Sequence, residues 1–192
     1  MKPLRTSIIV LVVLTVVTGG LYPLFITGLG AVFFPAQAQG SLISKDGKVV
    51  GSRLIGQEFA SDTYFHPRPS VVNYDASASG ASNWGYTSSD LKKAYDDRLA
   101  QWQKENPAAA SASVPLDVLF ASGSGLDPDI SPQAAEDQAP RVAAARHASA
   151  RDVLDLVRRY EKSPQLGFMG EPRVNVLELN MALDKAFPGR RD

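Results

Sequence analysis

Residues 6–34 read TSIIVLVVLTVVTGGLYPLFITGLGAVFF, and no charged side chain interrupts them. A helix needs about 20 predominantly apolar residues to cross the hydrocarbon core of a bilayer. Because the run is longer than that, we predict a transmembrane helix over residues 7–34. Pro23 lies inside it, and membrane helices tolerate proline where neighbouring groups satisfy the freed backbone. The sequence therefore predicts a chain that is anchored by one span.

The charges around the span predict its orientation. Lys2 and Arg5 precede it, and the next charged residue is Lys45. Basic residues next to a span stay on the cytoplasmic side. We therefore predict a cytoplasmic N-terminus, residues 1–6, and one extracytoplasmic domain, residues 35–192. This is the arrangement of a single-pass protein of a bacterial-type membrane, with its main domain on the outer side.

A cleaved signal peptide is the alternative to a retained anchor. Ala36-Gln37-Ala38 has the small-x-small pattern of a cleavage site, but the apolar region of a signal peptide is about 7–15 residues long. The run here is nearly twice that length, so we favour retention. Cleavage after Ala38 would instead give a secreted ligand-binding domain.

Composition excludes several classes of function. Twenty basic and twenty acidic residues cancel, so net charge gives no reason to expect a nucleic-acid partner. The chain has no cysteine, which excludes a disulfide framework, a cysteine-ligated zinc site and a thiol nucleophile.

Turn and cap residues predict the elements of the outer domain. Asp46-Gly47 between short apolar runs predicts a hairpin whose second strand continues to Ile55. The region 56–85 is rich in glycine, serine, proline and asparagine but carries aromatic residues, and we interpret it as an ordered loop. Residues 114–121 fit either a strand or a short buried helix.

Four helices are predicted from their capping residues. Ser88 or Ser89 caps a helix that ends at Glu105, and Ser131-Pro132 begins a helix that ends at Arg146. Ser149 begins a third helix. Asn175 and Glu178 form a capping box at the start of the last helix, which Pro188 ends. The fold class is therefore predicted as α+β, helix-rich, with one small sheet.

Motifs for catalysis and metal binding are incomplete. Gly123-Ser124-Gly125 lacks the outer glycines of a nucleophile elbow, so a hydrolase acting through Ser124 is a disfavoured alternative. Asp127 and Asp129 do not belong to a complete calcium loop, because Pro132 replaces the glycine that such a loop requires. We interpret them as turn and first-turn carboxylates that favour the helix starting at Pro132. The two histidines, His66 and His147, have no metal-ligand spacing, so we predict no catalytic residue and no metal site.

Several long motifs occur in an order that resembles one known family. They are YPL (22–24), TG (27–28), FPAQA (34–38), GSL (40–42), GSRLIGQ (51–57), YFHPRPS (64–70), YD (74–75), SGASN (79–83), SGSGLDP (122–128), ISP (130–132), RVA (141–143) and GEPRVNVLELN (170–180). On these residues the chain resembles the C subunit of the Kdp-type potassium-transporting ATPase, a bacterial high-affinity potassium uptake complex. Trp84-Gly85-Tyr86 depart from the Leu-Gly-Pro that is more usual in that family.

The resemblance implies a non-catalytic accessory subunit. Its partners would be a potassium-channel-like subunit, a P-type ATPase subunit that hydrolyses ATP, a small single-span subunit and membrane lipid. It would be needed for assembly and would act as a catalytic chaperone that raises the affinity of the ATPase subunit for ATP. The chain alone would bind no cofactor, and the family proposal places ATP against Gln57 in a ternary complex.

The predicted topology conflicts with that last assignment. ATP is cytoplasmic, whereas Gln57 follows the span on the predicted outer side. Gln57 would then be a hydrogen-bonding structural or interface residue, and the outer domain would act allosterically. Mapped onto this sequence, the family motifs predict a partner interface at Tyr22, Pro23, Gly28, His66, Arg68, Tyr74, Asp75, Asn83, Ser124, Asp127, Arg173 and Asn175.

Overall fold

A computed structural model describes residues 2–45, 47–109 and 113–188. The chain forms two compact units that divide between Val50 and Gly51. The first unit contains the apolar helix, and the second contains most of the remaining chain.

The apolar helix is continuous from Lys2 to Phe33 and is the one described helix that is long and apolar enough to cross a membrane. It consists of α1 (Lys2–Val16), a single π-helical turn (Val17–Leu21) and α2 (Tyr22–Phe33). None of its described residues is buried. The π turn directly precedes Pro23, whose missing N–H and ring disturb regular helical bonding to the preceding turn. This confirms that the helix accommodates proline without ending.

The rest of the first unit is short, and its last strand, β2, extends two residues past the division. After Phe34, α3 (Pro35–Ala38) makes one helical turn, and β1 (Leu42–Lys45) pairs with β2 (Lys48–Ser52). The predicted hairpin is confirmed, with Gly47 at φ +75° in its turn; Asp46 lies outside the described residues. The prediction that β2 reaches Ile55 is wrong. Ile55 N–H instead donates to the Ser52 carbonyl across a turn, at 3.4 Å.

The second unit is built on helices α4 (Ser89–Glu105), α6 (Pro132–Ala145), α7 (Ala150–Tyr160) and α8 (Val176–Ala186). Residues 114–121 form a short helix, α5 (Leu116–Leu119), which decides the alternative left open by their pattern. Three predicted caps bond as expected: Ser88 accepts from Asp90 and Leu91, Ser131 accepts from Ala134, and Asn175 accepts from Glu178. Ser149 precedes α7 without a side-chain cap bond. The last helix ends at Ala186, two residues before Pro188.

A second small sheet was not predicted. Strands β3 (Asp129–Ile130), β4 (Glu161–Lys162) and β5 (Arg173–Asn175) form it in the order β3-β5-β4, and both pairings are antiparallel. The expectation of one sheet is therefore wrong, because strands of two and three residues are too short to show an alternating pattern. The α+β, helix-rich class is confirmed.

The core of the second unit lies between α6, α7, α8 and this sheet. Its fully buried side chains include Phe65, Val142, Val153, Leu179 and Leu183. Alanines at four positions of α6 are also buried, at most 2% exposed: Ala134, Ala135, Ala139 and Ala143. Small side chains let α6 approach its neighbours closely, which explains how this alanine-rich helix occupies the core.

Candidate functional site

Two buried amides hold the long loop that follows β2 against the helices. Asn180 on α8 accepts from Phe65 N–H at 2.9 Å and donates to the Phe65 carbonyl at 3.0 Å. Gln138 on α6 makes the same paired contact with His66, accepting at 2.7 Å and donating at 3.3 Å. Each side-chain amide thus makes the pair of hydrogen bonds that a neighbouring strand would otherwise make with the loop backbone. Through them Phe65 is fixed in the core, where it is 0% exposed.

Two arginines also hold this loop. The Arg146 side chain, 2% exposed, donates to the carbonyls of Thr63 and Phe187 at 2.6 and 2.8 Å, pairs with Asp184 at 2.9 Å, and lies 4.8 Å from the centre of the Tyr64 ring. Arg141 donates to the carbonyls at positions 62 and 64, and to Asn106 and Gln138. Burial lowers the pKa of the Arg141 guanidinium from its ordinary value.

These four anchoring residues were missed by sequence reasoning. Gln138, Arg141, Arg146 and Asn180 are polar residues at core-facing positions of amphipathic helices or at their ends. A buried polar side chain must find a partner, so such positions were a usable signal. They explain structurally why the loop needs no regular secondary structure of its own.

The structure brings together the loops that carry most of the predicted interface residues. Arg68 pairs with Asp127 at 2.8 Å, and the Tyr74 hydroxyl donates to the Arg68 carbonyl at 2.7 Å. The Ser124 carbonyl accepts from Gly80 N–H at 2.9 Å. Burial and nearby Glu58 raise the pKa of Tyr74 to about 12, so its hydroxyl stays a neutral donor. We call residues 66–83 and 122–127 the joined loops.

The Ser-Gly-Ser-Gly segment makes the joined loops possible. Ser70 Oγ donates to the Gly125 carbonyl at 2.6 Å, and Ser124 Oγ accepts from Leu126 N–H at 3.1 Å. Gly125 has φ +69°, and a Cβ there would lie 2.6 Å from Val72 Cγ2 and 2.9 Å from the Gly80 carbonyl oxygen. Gly123 has open space around it. At Gly125 the neighbouring loop therefore comes too close to leave room for a side chain. The Ser124 hydroxyl bonds within its own turn.

We expect Gly125→Ala to lower the free energy of unfolding by about 2 kcal/mol or more, because a left-handed backbone and a backbone clash both penalise a Cβ. Gly123→Ala, two residues away, is the matched control and should change it by less than about 0.5 kcal/mol. Denaturant unfolding of the full chain in detergent, followed by tryptophan fluorescence, measures both. Equal effects from the two substitutions would contradict the close approach.

The interpretation as a turn carboxylate is confirmed for Asp127 but is wrong for Asp129, which lies in strand β3 and not in a turn or in the first turn of α6. Asp127 Oδ1 accepts from Asp129 N–H at 3.0 Å, while Asp129 pairs with Arg173 at 3.2 Å. Among the residues that the structure describes, no group of three or more His, Cys, Asp or Glu side chains could hold a metal ion. Asn175, buried at 3% exposure, also donates to Asp129 and to the Arg53 carbonyl. Arg173 and Asn175 therefore brace β3 against β5.

Asp75 and Asn83 are the exposed members of the predicted interface in the joined loops. Asp75 Oδ1 accepts from the backbone and hydroxyl of Ser77 at 2.9 and 2.7 Å, which lowers the pKa of the Asp75 carboxyl. Asn83 donates to the Ala81 carbonyl at 3.1 Å. In the first unit, Tyr22, Pro23 and Gly28 are exposed on the apolar helix.

The Gln57 side chain lies against Gly51. A Cβ added to Gly51 would overlap Gln57 Nε2 and lie 2.9 Å from Leu177 Cδ2, so the amide covers the backbone of Gly51. Gln57 is partly buried, and Gly56 beside it is buried with its N–H bonded to the Leu126 carbonyl at 2.8 Å. This placement agrees with a structural role for the glutamine.

Three recesses lie around these elements. One of about 620 Å³ is lined by Arg68, Asp127 and Arg173 among others. Another of about 340 Å³ includes His66, Tyr74 and Trp102, and a third of about 420 Å³ lies beside Arg141 and Asp137. Their walls mix charged, polar and apolar side chains.

His66 is half-buried between groups of opposite charge. Its Nε2 lies 3.2 Å from the Ser61 carbonyl and its Nδ1 lies 3.4 Å from Glu105. Burial, followed by the Arg141 charge, lowers the pKa of His66 despite the opposing effect of Glu105 and Ser61. His66 is therefore a loop histidine whose ring lies within hydrogen-bonding distance of the backbone.

We expect protonation of His66 to destabilise the second unit. Its pKa in the folded state is below the ordinary value of 6.5, so unfolded chains bind more protons as pH falls below that value. Stability is complete above pH 6.5 and declines below it, by at most about 1.4 kcal/mol per pH unit. Denaturant midpoints at pH 7.5 and 5.0 should differ less for His66→Gln than for the unsubstituted chain. An equal pH dependence would contradict this assignment.

Comparison with known proteins gives one consistent family. The family model described as KdpC, K+-transporting ATPase c chain, matches residues 4–185. The Potassium-transporting ATPase KdpC subunit of Bradyrhizobium diazoefficiens is 50% identical over 200 aligned residues, which cover 97% of this chain and 98% of the relative. Those of Rhodopseudomonas palustris (strain CGA009) and Mycobacterium tuberculosis (strain H37Ra) are each 48% identical, covering 98% and 96% of this chain and 99% and 98% of theirs. With its apolar helix and helix-rich α+β domain, the chain belongs to the KdpC family, the c chain of the K+-transporting ATPase.

Proposed function

We propose that this chain is a non-catalytic accessory subunit of an ATP-driven, high-affinity potassium uptake complex. The observation that carries the proposal is the family match over residues 4–185. The relatives at 48–50% identity are named as subunits of a potassium-transporting ATPase. In this proposal the partners are a potassium-channel-like subunit, a P-type ATPase subunit that hydrolyses ATP, and a small single-span subunit.

The proposal places the second unit outside the cytoplasm of a bacterial cell. Lys2 and Arg5 precede the apolar helix, and no charge follows until Lys45. This distribution favours a retained helix with a cytoplasmic N-terminus. The span itself would contact lipid and partner helices, the latter near Tyr22, Pro23 and Gly28, where the π turn and small residues allow close approach.

The proposed effect on ATP affinity is allosteric. A domain outside the cytoplasm does not meet ATP, so direct contact through Gln57 is disfavoured. The packing of Gln57 over Gly51 supports a structural role instead. Binding of the outer domain to a partner subunit would favour one conformational state of the complex, and that state would bind ATP more tightly.

Within the joined loops, the proposed partner contacts fall into two groups. Asp75 and Asn83 are exposed and can meet a partner directly. Arg68, Tyr74, Ser124 and Asp127 bond one another or neighbouring backbone and are partly buried, so their contribution would be to hold the loop shape. His66, Arg173 and Asn175 have the same supporting character.

Three measurements test the accessory role: co-purification, potassium uptake and the KM for ATP. The full chain should co-purify with the channel-like and ATPase subunits, and its removal should abolish potassium uptake at low external potassium. A complex that lacks the chain, or that contains a variant of it that binds its partners weakly, should show a higher KM for ATP although the catalytic site of the ATPase subunit is unchanged. Arg68→Ala, Asp75→Ala and Asp127→Ala combined should impair uptake, whereas Arg158→Ala on an exposed surface should not.

A tethered or secreted ligand-binding domain is the alternative. The recess of about 620 Å³ is the feature that favours it. Mass analysis of the mature chain separates the two functions. A chain that begins at Gln39 and assembles with no membrane subunit would support the alternative and refute the accessory role.

A further inference from the structure

The hairpin between β4 and β5 ends in an apolar tip. We call residues 165–169 the hairpin tip. Leu166 is 82% exposed, Phe168 is 77% exposed and Met169 is 50% exposed. No element of the second unit covers these three side chains in the part of the chain that the structure describes. Single exposed apolar residues are ordinary, but a contiguous protruding group indicates an interaction site.

The hairpin tip is ordered by its own backbone. Gln165 and Met169 exchange two backbone hydrogen bonds, each of 2.9 Å, and Phe168 N–H donates to the Gln165 carbonyl at 3.2 Å. Below them, β4 and β5 pair through Glu161 with Val174 and Lys162 with Arg173. The apolar side chains are therefore presented on a closed turn, and binding them would cost little ordering of the backbone.

Leu166 fits neither the turn nor the core. Its φ is +54° and that of Gly167 is +83°, the pair of positive φ angles that a type I′ turn requires. Asparagine, aspartate or glycine suits the first of those positions, whereas a leucine there is strained. Core packing does not account for it either, because the side chain is exposed. A contact outside the chain is the remaining physical reason for an apolar residue here.

The charges around the hairpin tip discriminate between a membrane and a protein as its occupant. Glu178 pairs with both Lys162 and Arg53, at 2.6 and 2.8 Å, and Arg173 pairs with Asp129 at 3.2 Å. Glu161 and Glu171 have no ion-pair partner among the described residues, so the three cations of this rim, Arg53, Lys162 and Arg173, are outnumbered by its carboxylates and the rim has an acidic excess. Anionic lipid headgroups attract basic segments and would repel this rim. A protein surface with basic side chains around an apolar recess complements it.

We propose that the hairpin tip is a docking site for another chain of the same potassium-transporting ATPase. The partner surface would be an apolar recess edged by basic side chains, into which Phe168 and Leu166 insert. An apolar centre with a charged rim is the usual anatomy of such an interface, and aromatic anchors carry much of its affinity. This inference rests on the accessory-subunit function proposed above and adds a contact surface to it.

The cysteine-free chain allows a direct test in the assembled complex. Phe168→Cys provides one attachment site for a benzophenone maleimide, and irradiation should cross-link it to a partner chain. In a second arm, Leu166→Asn with Phe168→Ser should weaken retention of the chain in the complex about tenfold or more. Asparagine suits the turn at position 166 better than leucine, so loss of folding does not explain such a result. Tyr86→Ser, which removes an aromatic side chain that is 94% exposed elsewhere, is the control.

Each outcome of these two arms either supports the docking site or overturns it. A cross-link to a partner chain, with loss of retention in the tip variant alone, supports the docking site. A cysteine at position 168 that reacts with a soluble maleimide equally fast in the complex and in the isolated chain overturns it. Cross-links to lipid alone also overturn it, in favour of membrane contact. In both of these cases the chain still co-purifies and the accessory role stands. Failure of the unsubstituted chain to co-purify would remove both proposals.

Discussion

Arg146→Ala is expected to lower the free energy of unfolding of the second unit by about 3–5 kcal/mol, the usual cost of removing one partner from a buried ion pair. Three polar groups each lose a charged donor at once: the Thr63 and Phe187 carbonyls and the Asp184 carboxylate, which still accepts from the Tyr64 hydroxyl at 3.4 Å. The Tyr64 ring also loses the guanidinium that lies 4.8 Å from its centre. These groups belong to the loop after β2 and to the C-terminal end of α8, so the loss affects the framework of the domain.

Arg158→Ala is the matched control for Arg146→Ala. Its side chain is 63% exposed and its nearest carboxylate oxygens are 3.8 Å away, so we expect a change below about 1 kcal/mol. Denaturant unfolding of the full chain in detergent, followed by the fluorescence of buried Trp102, measures both. A loss of less than about 1 kcal/mol for Arg146→Ala would show that other contacts suffice to hold the loop.

The sequence predicted elements wherever a local rule applied. Ser88, Ser131 and Asn175 bond as N-caps because capping involves residues two or three positions apart. The apolar run was equally clear because a span depends on length and composition alone. The short sheet was missed because β3 and β5 meet across more than forty residues and each is only two or three residues long.

The loop after β2 is held by contacts with residues that are far away in the sequence. Its aromatics indicated order, but its partners, Gln138, Arg146 and Asn180, lie 72 to 115 positions away. No local spacing encodes such pairs. The resemblance located the motifs, but it could not tell which members support the loop and which face a partner. The structure separates bonded members from exposed ones: Arg68 and Asp127 bond each other, whereas Asp75 is exposed.

That separation changes how substitutions in these motifs should be interpreted. Loss of uptake after Arg68→Ala would be explained by separation of the joined loops, because the Arg68 side chain pairs with Asp127 and the Arg68 carbonyl accepts from the Tyr74 hydroxyl. Loss after Asp75→Ala would point to a contact, since this carboxylate holds only its neighbour Ser77 in the described structure. Thermal stability measured beside uptake distinguishes the two effects.

A cysteine introduced near Gln57 is expected to react only from outside the cell, an all-or-none result. Ala60→Cys is suitable because Ala60 is exposed, lies three residues from Gln57 and carries no charge. Pro3→Cys is the matched control on the other side of the span, and it leaves the orienting charges of Lys2 and Arg5 unchanged. An impermeant maleimide applied to intact spheroplasts should label position 60 and leave position 3 unlabelled until the membrane is opened.

The same experiment decides how the chain can influence ATP. The barrier to inversion is the apolar helix from Lys2 to Phe33, which cannot reverse its orientation without carrying Lys2 and Arg5 through hydrocarbon. Moving a basic side chain to the centre of a bilayer costs about 2.5 kcal/mol or more, so one orientation should dominate. Labelling of position 60 from outside would leave allosteric coupling as the route by which the domain affects nucleotide affinity. Labelling only after the membrane is opened would reverse the topology and restore direct contact between Gln57 and ATP as a physical possibility.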